Sequence, residues 1–162
     1  QKKIEKKLTD KSIEGDIFYD IEYKGIDLSG NRYVIKSKEA ISKKSQTEEV
    51  FMRDVSAFFY FKDNTILKIQ SNSGIYNNRT LDMKFIDDVK GYYKESTLFA
   101  EKAEYLNSKN TLTISKKVVV NDVRGKIIAD QLFFDLKKET LDIKSFKDNK
   151  INANLNYNEE KF

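Results

Sequence analysis

The chain has 162 residues, enough for one domain with a continuous core, and 39% hydrophobic against 35% charged side chains. It contains no Cys, His or Pro, which removes disulfides, thiolate nucleophiles, Cys-ligated metals and the commonest general base. Its net charge of +4, from 30 basic and 26 acidic residues, is interspersed rather than concentrated, which argues against a nucleic-acid partner. No apolar run reaches the roughly 18 residues of a membrane span.

Residues 1–15 carry Ile4 and Leu8 four apart among lysines and acids, a pattern for a tether or a short amphipathic helix. Asp16 to Lys24 alternates Ile17, Tyr19, Ile21 and Tyr23 on one face and predicts a strand. Gly25 and Ser29-Gly30-Asn31 signal turns, and Arg32 to Lys38 predicts a second strand. After the polar connector Ser42 to Glu49 comes the most aromatic stretch, Val55 to Lys62. Asp63-Asn64 predicts a turn and Thr65 to Ser71 a strand. Thr80 to Ile86 is expected to run out and Asp87 to Tyr93 to run back. Thr111 to Ile114 and Val118 to Val120 follow as further short runs, then Lys126 to Leu136, Thr140 to Lys144 and a last strand, Ile151 to Tyr157. The expectation is an all-β chain of about 13 or more short antiparallel strands in one domain over 16–157, with a tail at 158–162.

A repeat runs through it. A small residue recurs at Ser37, Ser71, Ala100 and Ala129, at spacings of 34, 29 and 29. Two residues earlier stand Ile35, Ile69, Leu98 and Ile127, and three residues later Ala40, Gly74, Ala103 and Leu132. Tyr76, Tyr105 and Phe134 come five after the small residue in the last three units. A turn and a Thr-Leu pair then follow at Thr80, Thr111 and Thr140. The period near 30 residues implies a stacked array, each unit about four short strands, with the small residues at corners between two twisted sheets. The predicted interior is Ile35, Ile69, Met83, Phe85, Leu98, Ala100, Leu112, Ile114, Ile127, Ala129, Leu141 and Ile143. These side chains either pack only on one another or line a groove.

Catalysis finds no support. The doublets Glu48-Glu49 and Asp87-Asp88 are strand neighbours that point to opposite faces, no Gly-rich phosphate loop occurs, and the serines have no His partner. No cofactor or metal site is expected.

The units Ile69-x-Ser71-x-x-Gly74-x-Tyr76, Leu98-x-Ala100-x-x-Ala103-x-Tyr105 and Ile127-x-Ala129-x-x-Leu132-x-Phe134 resemble the OstA-like repeats of lipopolysaccharide-transport proteins. The strand entry Gly30-Asn31-Arg32-Tyr33 is similar to the periplasmic domain of the LptC family. This resemblance implies a twisted β-jellyroll without chemistry. Such a domain would receive lipopolysaccharide from an ATP-driven extractor in the inner membrane and pass it along a groove to a bridge protein. It further implies a role for Gly30 in partner assembly and a C-terminal edge around Ile151, Ala153 and Leu155 that pairs with the bridge protein. The N-terminal edge, Asp16 to Tyr23, would face the transporter subunits. A membrane anchor is expected upstream of Gln1, and the domain itself in the periplasm. Lys62, Lys68 and Lys84 would meet lipid phosphates at the groove rim. The alternatives are a soluble LptA-type bridge protein, a β-scaffold that binds no lipid, and a polysaccharide or nucleic-acid binder using Phe58, Phe59, Tyr60, Tyr92 and Tyr93.

Overall fold

The structure, a computed structural model, describes residues 15–43, 45 and 47–145 in full and the backbone of 152–155. They form ten strands: β1 (Asp16–Ile26), β2 (Arg32–Ser42), β3 (Glu49–Tyr60), β4 (Ile66–Asn77), β5 (Met83–Tyr93), β6 (Ser96–Leu106), β7 (Thr111–Asp122), β8 (Gly125–Asp135), β9 (Thr140–Lys144) and β10 (Asn152–Leu155). Successive strands pair as antiparallel hairpins, so the sheet order follows the sequence from β1 to β8. The all-β expectation is met, with two corrections. In place of 13 or more short strands there are ten among the described residues, eight of them 11 or 12 residues long. In place of two stacked sheets there is one continuous ladder.

The reason lies at mid-strand. The polar pairs Asp87-Asp88 and Lys116-Lys117 look like strand breaks in the sequence. Both instead adopt left-handed φ, 69° and 50° in the first and 69° and 53° in the second. They bulge, and the ladder resumes on the far side: Ile86 pairs with Lys102 and Val89 with Ala100. Asp20 and Asp54, each at φ 53°, kink β1 and β3 without shifting the register. Asp tolerates this region better than most residues because its short polar side chain bonds locally. The kinks lie level with one another across the sheet and form a crease. The strands turn there without changing neighbours.

Burial records the crease. In β2, Tyr33, Ile35 and Ser37 point inward, and the next inward residue is Ala40. In β4 the inward set is Leu67, Ile69 and Ser71, then Gly74 and Tyr76. In β6 it is Leu98 and Ala100, then Ala103 and Tyr105. The step of three that defines the repeat is thus the passage of an even-numbered strand over the crease. Each repeat is one hairpin of two creased strands, not four short ones. Space is tight there: a Cβ on Gly74 would lie 2.7 Å from the Lys84 carbonyl oxygen and 3.2 Å from Val55.

The sheet is doubled over on this crease. Tyr33 is level with Phe59, and Phe59 with Leu67. Tyr76 stands nine residues beyond Leu67 along β4, about 30 Å away in a flat sheet. Yet the Tyr33 and Tyr76 hydroxyls are 3.2 Å apart. Phe59 and Tyr105 rings meet at 5.4 Å, although the residue of β6 level with Phe59 is Ser96. An upper half, holding Tyr33, Phe59 and Leu98, therefore faces a lower half, holding Tyr76, Phe85 and Leu112. At the C-terminal end the halves part. Gly125 to Ile128 of β8 pair with β10, and Gln131 to Asp135 with β9.

Candidate groove and sheet edges

The interior between the halves runs the length of the sheet. Ten of the twelve predicted interior residues are buried in it: Ile35, Ile69, Met83, Phe85, Leu98, Ala100, Leu112, Ile114, Ile127 and Ala129. Leu141 and Ile143 are only partly buried, because among the described residues β9 ends the lower half, though both pack on the core. Met83, Phe85, Leu112 and Ile114 lie on odd strands, but the sequence missed other inward residues there, Val50, Met52, Val55, Ala57, Val89, Val118 and Val120. Their alternation is visible in the sequence but is interrupted by the kinks. Side chains fill the space. Met83, Phe85, Ala103, Tyr105 and Leu132 have no exposed surface. At the seam opposite the crease lies a cavity of about 40 Å³ between Phe61, Leu67 and Tyr93 above and Phe134 and Leu136 below.

The seam is laced by turns. Asp27 is buried and accepts from the backbone N–H of Ser29 and Asn31 and from Asn31 Nδ2. Gly30, at φ 83°, completes this β1–β2 turn, its N–H donating to the Asp27 carbonyl. The Ser29 hydroxyl then accepts from Asn110 Nδ2 in the β6–β7 turn of the lower half. The Asn110 carbonyl in turn accepts from Leu136 N–H. Gly30, predicted at a partner edge, sits in this clasp beside edge strand β1. Lys62 lies close by, its Nζ 3.4 Å from where a Gly30 Cβ would stand. Lys68 and Lys84, predicted at the groove rim, project instead from the outer faces of the upper and lower halves, because each alternates with inward neighbours.

Burial pushes the hydroxyls of Tyr76 and Tyr105 well above the usual phenol range, with smaller rises at Tyr33 and Tyr23. The interior is thus apolar with neutral phenols. Asp122 is held below the usual carboxylate range first by the side chain of Arg124, whose Nη2 stands 2.6 Å from it. Among the described residues no three acidic side chains cluster to hold a metal ion.

Among the described residues the groove is open at its N-terminal end. Phe18 is level with inward Ala40 yet 47% exposed, since β1 pairs on one side only. Among the described residues β9 and β10 also pair on one side only. Ala153 and Leu155 lie on β10. Ile151, like residues 1–14 and 156–162, is outside the described residues.

The family profile described as "Lipopolysaccharide-assembly, LptC-related" matches residues 3–146. The chain belongs to the LptC-related family. No relative is found among curated protein sequences. Among solved structures, the fold matches that of LptH from Pseudomonas aeruginosa, described as the LptA-homologous periplasmic component of the conserved lipopolysaccharide transport device. The TM-score is 0.58 at 9% identity, with 77% of this chain and 95% of that one covered. This LptC-related chain therefore carries the jellyroll-like all-β fold that the resemblance implied. The description of its family is one of lipopolysaccharide assembly. In the LptC-related chain the repeat of small residues is the inner lining of the crease, and the Asp27 turn is part of the seam.

Proposed function

We propose that this LptC-related domain binds lipopolysaccharide between its two halves, receiving it from an ATP-driven extractor in the inner membrane and passing it to the next jellyroll of a periplasmic bridge. The observation that carries this is the apolar interior, continuous from the open end beside β1 to the point where β9 and β10 diverge. Each buried acyl methylene contributes about 0.8 kcal/mol, so a few chains hold a lipid out of water. The interior is filled at rest, so acyl chains enter only where the halves part at the seam, displacing Phe61, Tyr93 and Phe134 from one another. The twelve predicted interior residues would then line the lipid. Unpaired backbone on β1 would continue the sheet toward the transporter subunits, and that on β10 toward the bridge protein. An anchor helix upstream of Gln1 would hold the domain at the inner membrane.

Photo-crosslinkers at Phe85, Leu112 and Ile114, compared with outward Lys84 and Thr113, test the reading in the presence of lipopolysaccharide and the working extractor. Labelling from the first set supports it. Labelling confined to the outward set sinks it.

A further inference from the structure

The upper half turns a second surface to solvent, its outer face, which the groove does not use. Strand register stacks the outward residues in rows. One row runs Val34, Phe58, Lys68 and Tyr92. The row nearer the crease includes Lys36, Lys90, Phe99 and Ile128. Among the described residues, the outward cations on the strands of this half are Lys24, Arg32, Lys36, Lys68, Lys90 and Lys126, against one carboxylate away from the crease, Glu22; at the crease stand Asp20, Asp54 and Asp88, the last 3.8 Å from Lys90 Nζ. Glu22 is itself shared by Lys24 and Lys36, at 3.4 and 3.6 Å. The outer face of the lower half is balanced, with Arg53, Lys84 and Lys102 matched by Glu39, Glu104 and Asp142.

Large apolar side chains share the basic face. Ile66 is 46% exposed, Ile128 43%, Phe99 38% and Tyr92 37%. The cations lie among the rings. Lys68 Nζ stands 5.6 Å from the Phe58 ring and 5.8 Å from the Tyr92 ring, Lys36 Nζ 5.8 Å from Phe58, and the Arg32 guanidinium 5.9 Å over Tyr60. A polyanionic chain would be met by charge alone, with no use for Ile66 or Ile128. Amphipathic rings beside cations with long apolar stems suit the headgroup zone of a bilayer, where the apolar bodies enter and the cations meet phosphate. The eight strands from β1 to β8, at about 4.8 Å spacing, make the face about 34 Å wide, a surface rather than a slot.

We propose that the outer face of the upper half rests on an anionic phospholipid bilayer. This holds whether or not the groove carries lipid, since it uses none of the inward residues.

The test is co-sedimentation of the full chain with vesicles of phosphatidylglycerol and phosphatidylcholine, or of phosphatidylcholine alone. Binding is expected to the anionic vesicles and to weaken as salt rises. Lys36→Gln with Lys68→Gln should lower partitioning on the order of 25-fold, at about fivefold per cation. Phe58→Ser with Tyr92→Ser should lower it too, whereas Lys84→Gln with Lys102→Gln on the other face should leave it unchanged. Equal binding to both vesicle types, or loss of binding with the lower-face pair alone, overturns the proposal. If the aromatic pair binds like the parent, the face is a general polyanion surface and the proposal is also overturned. Should the aromatic pair fail to fold, the exposed lysine pair decides by itself.

Discussion

The hydroxyl of Tyr33 in the upper half lies 3.2 Å from that of Tyr76 in the lower half, across the doubled sheet. Both phenols are buried, and burial holds both above their ordinary pKa of 10.0. Unfolded phenols ionise first, so this contribution to stability is complete below pH 10 and is lost as pH rises beyond it. Alkaline unfolding followed by circular dichroism should begin above pH 10. Tyr76→Phe should flatten that slope, while costing about 0.5–1.5 kcal/mol at neutral pH through the lost hydrogen bond. Asp122 acts with the opposite sign. Its contribution is present above the ordinary 3.8 and is lost as pH falls through its lowered value.

The seam clasp gives a direct test of whether the halves part. Ser29→Cys with Asn110→Cys places two thiols where the native side chains are hydrogen-bonded. Oxidised protein should lose photo-crosslinking to lipid from Phe85, and reduction should restore it. Undiminished crosslinking in fully oxidised protein would mean that lipid enters by another route, such as the open end beside Phe18.

Gly30 needs its positive φ but has space around it, since its nearest neighbour is the mobile end of Lys62. Gly30→Arg should therefore cost about 1–2 kcal/mol of backbone strain, a fall in Tm of about 2–4 °C per kcal/mol, and leave the fold intact. Loosening of the Asp27 turn would alter the clasp to Asn110 and, through β1, the N-terminal edge. Pull-down should show weaker binding to one neighbour; unchanged capture of both would remove Gly30 from assembly.

The crease predicts an asymmetry between substitutions. At Asp54, φ is 53°. Asp54→Gly should be neutral or slightly stabilising, and Asp54→Val should destabilise by about 2 kcal/mol, because a β-branched residue is strained in the left-handed region. Thermal melts of the two variants decide the matter. Equal effects would show that the kink is not set at this residue.

Deleting residues 150–162 removes β10 and bares the first half of β8. Binding to the bridge-side neighbour should fall, with binding to the extractor side unchanged. Loss of both would point to collapse of the domain, which the melt would reveal.

Much of this was legible in the residues. The lattice of Ile35, Ile69, Leu98 and Ile127 and the small residues two further on report burial directly, because an inward position tolerates only apolar or small side chains. The step of three to Ala40, Gly74, Ala103 and Leu132 was legible too, but its meaning was not. A kinked strand and a chain reversal leave the same local mark: polar residues between two alternating runs. Asp87-Asp88 was therefore expected to end a strand.

Composition and period thus determined an all-β array with an apolar interior, since those follow from side-chain types and their spacing along one chain. The tertiary structure alone decided that the array is one sheet doubled on a crease. That depends on which strands lie level and on pairs such as Tyr33 with Tyr76 and Ser29 with Asn110, 43 and 81 residues apart. Contacts at such separations leave no local pattern, because each partner is set by the register of every strand between them.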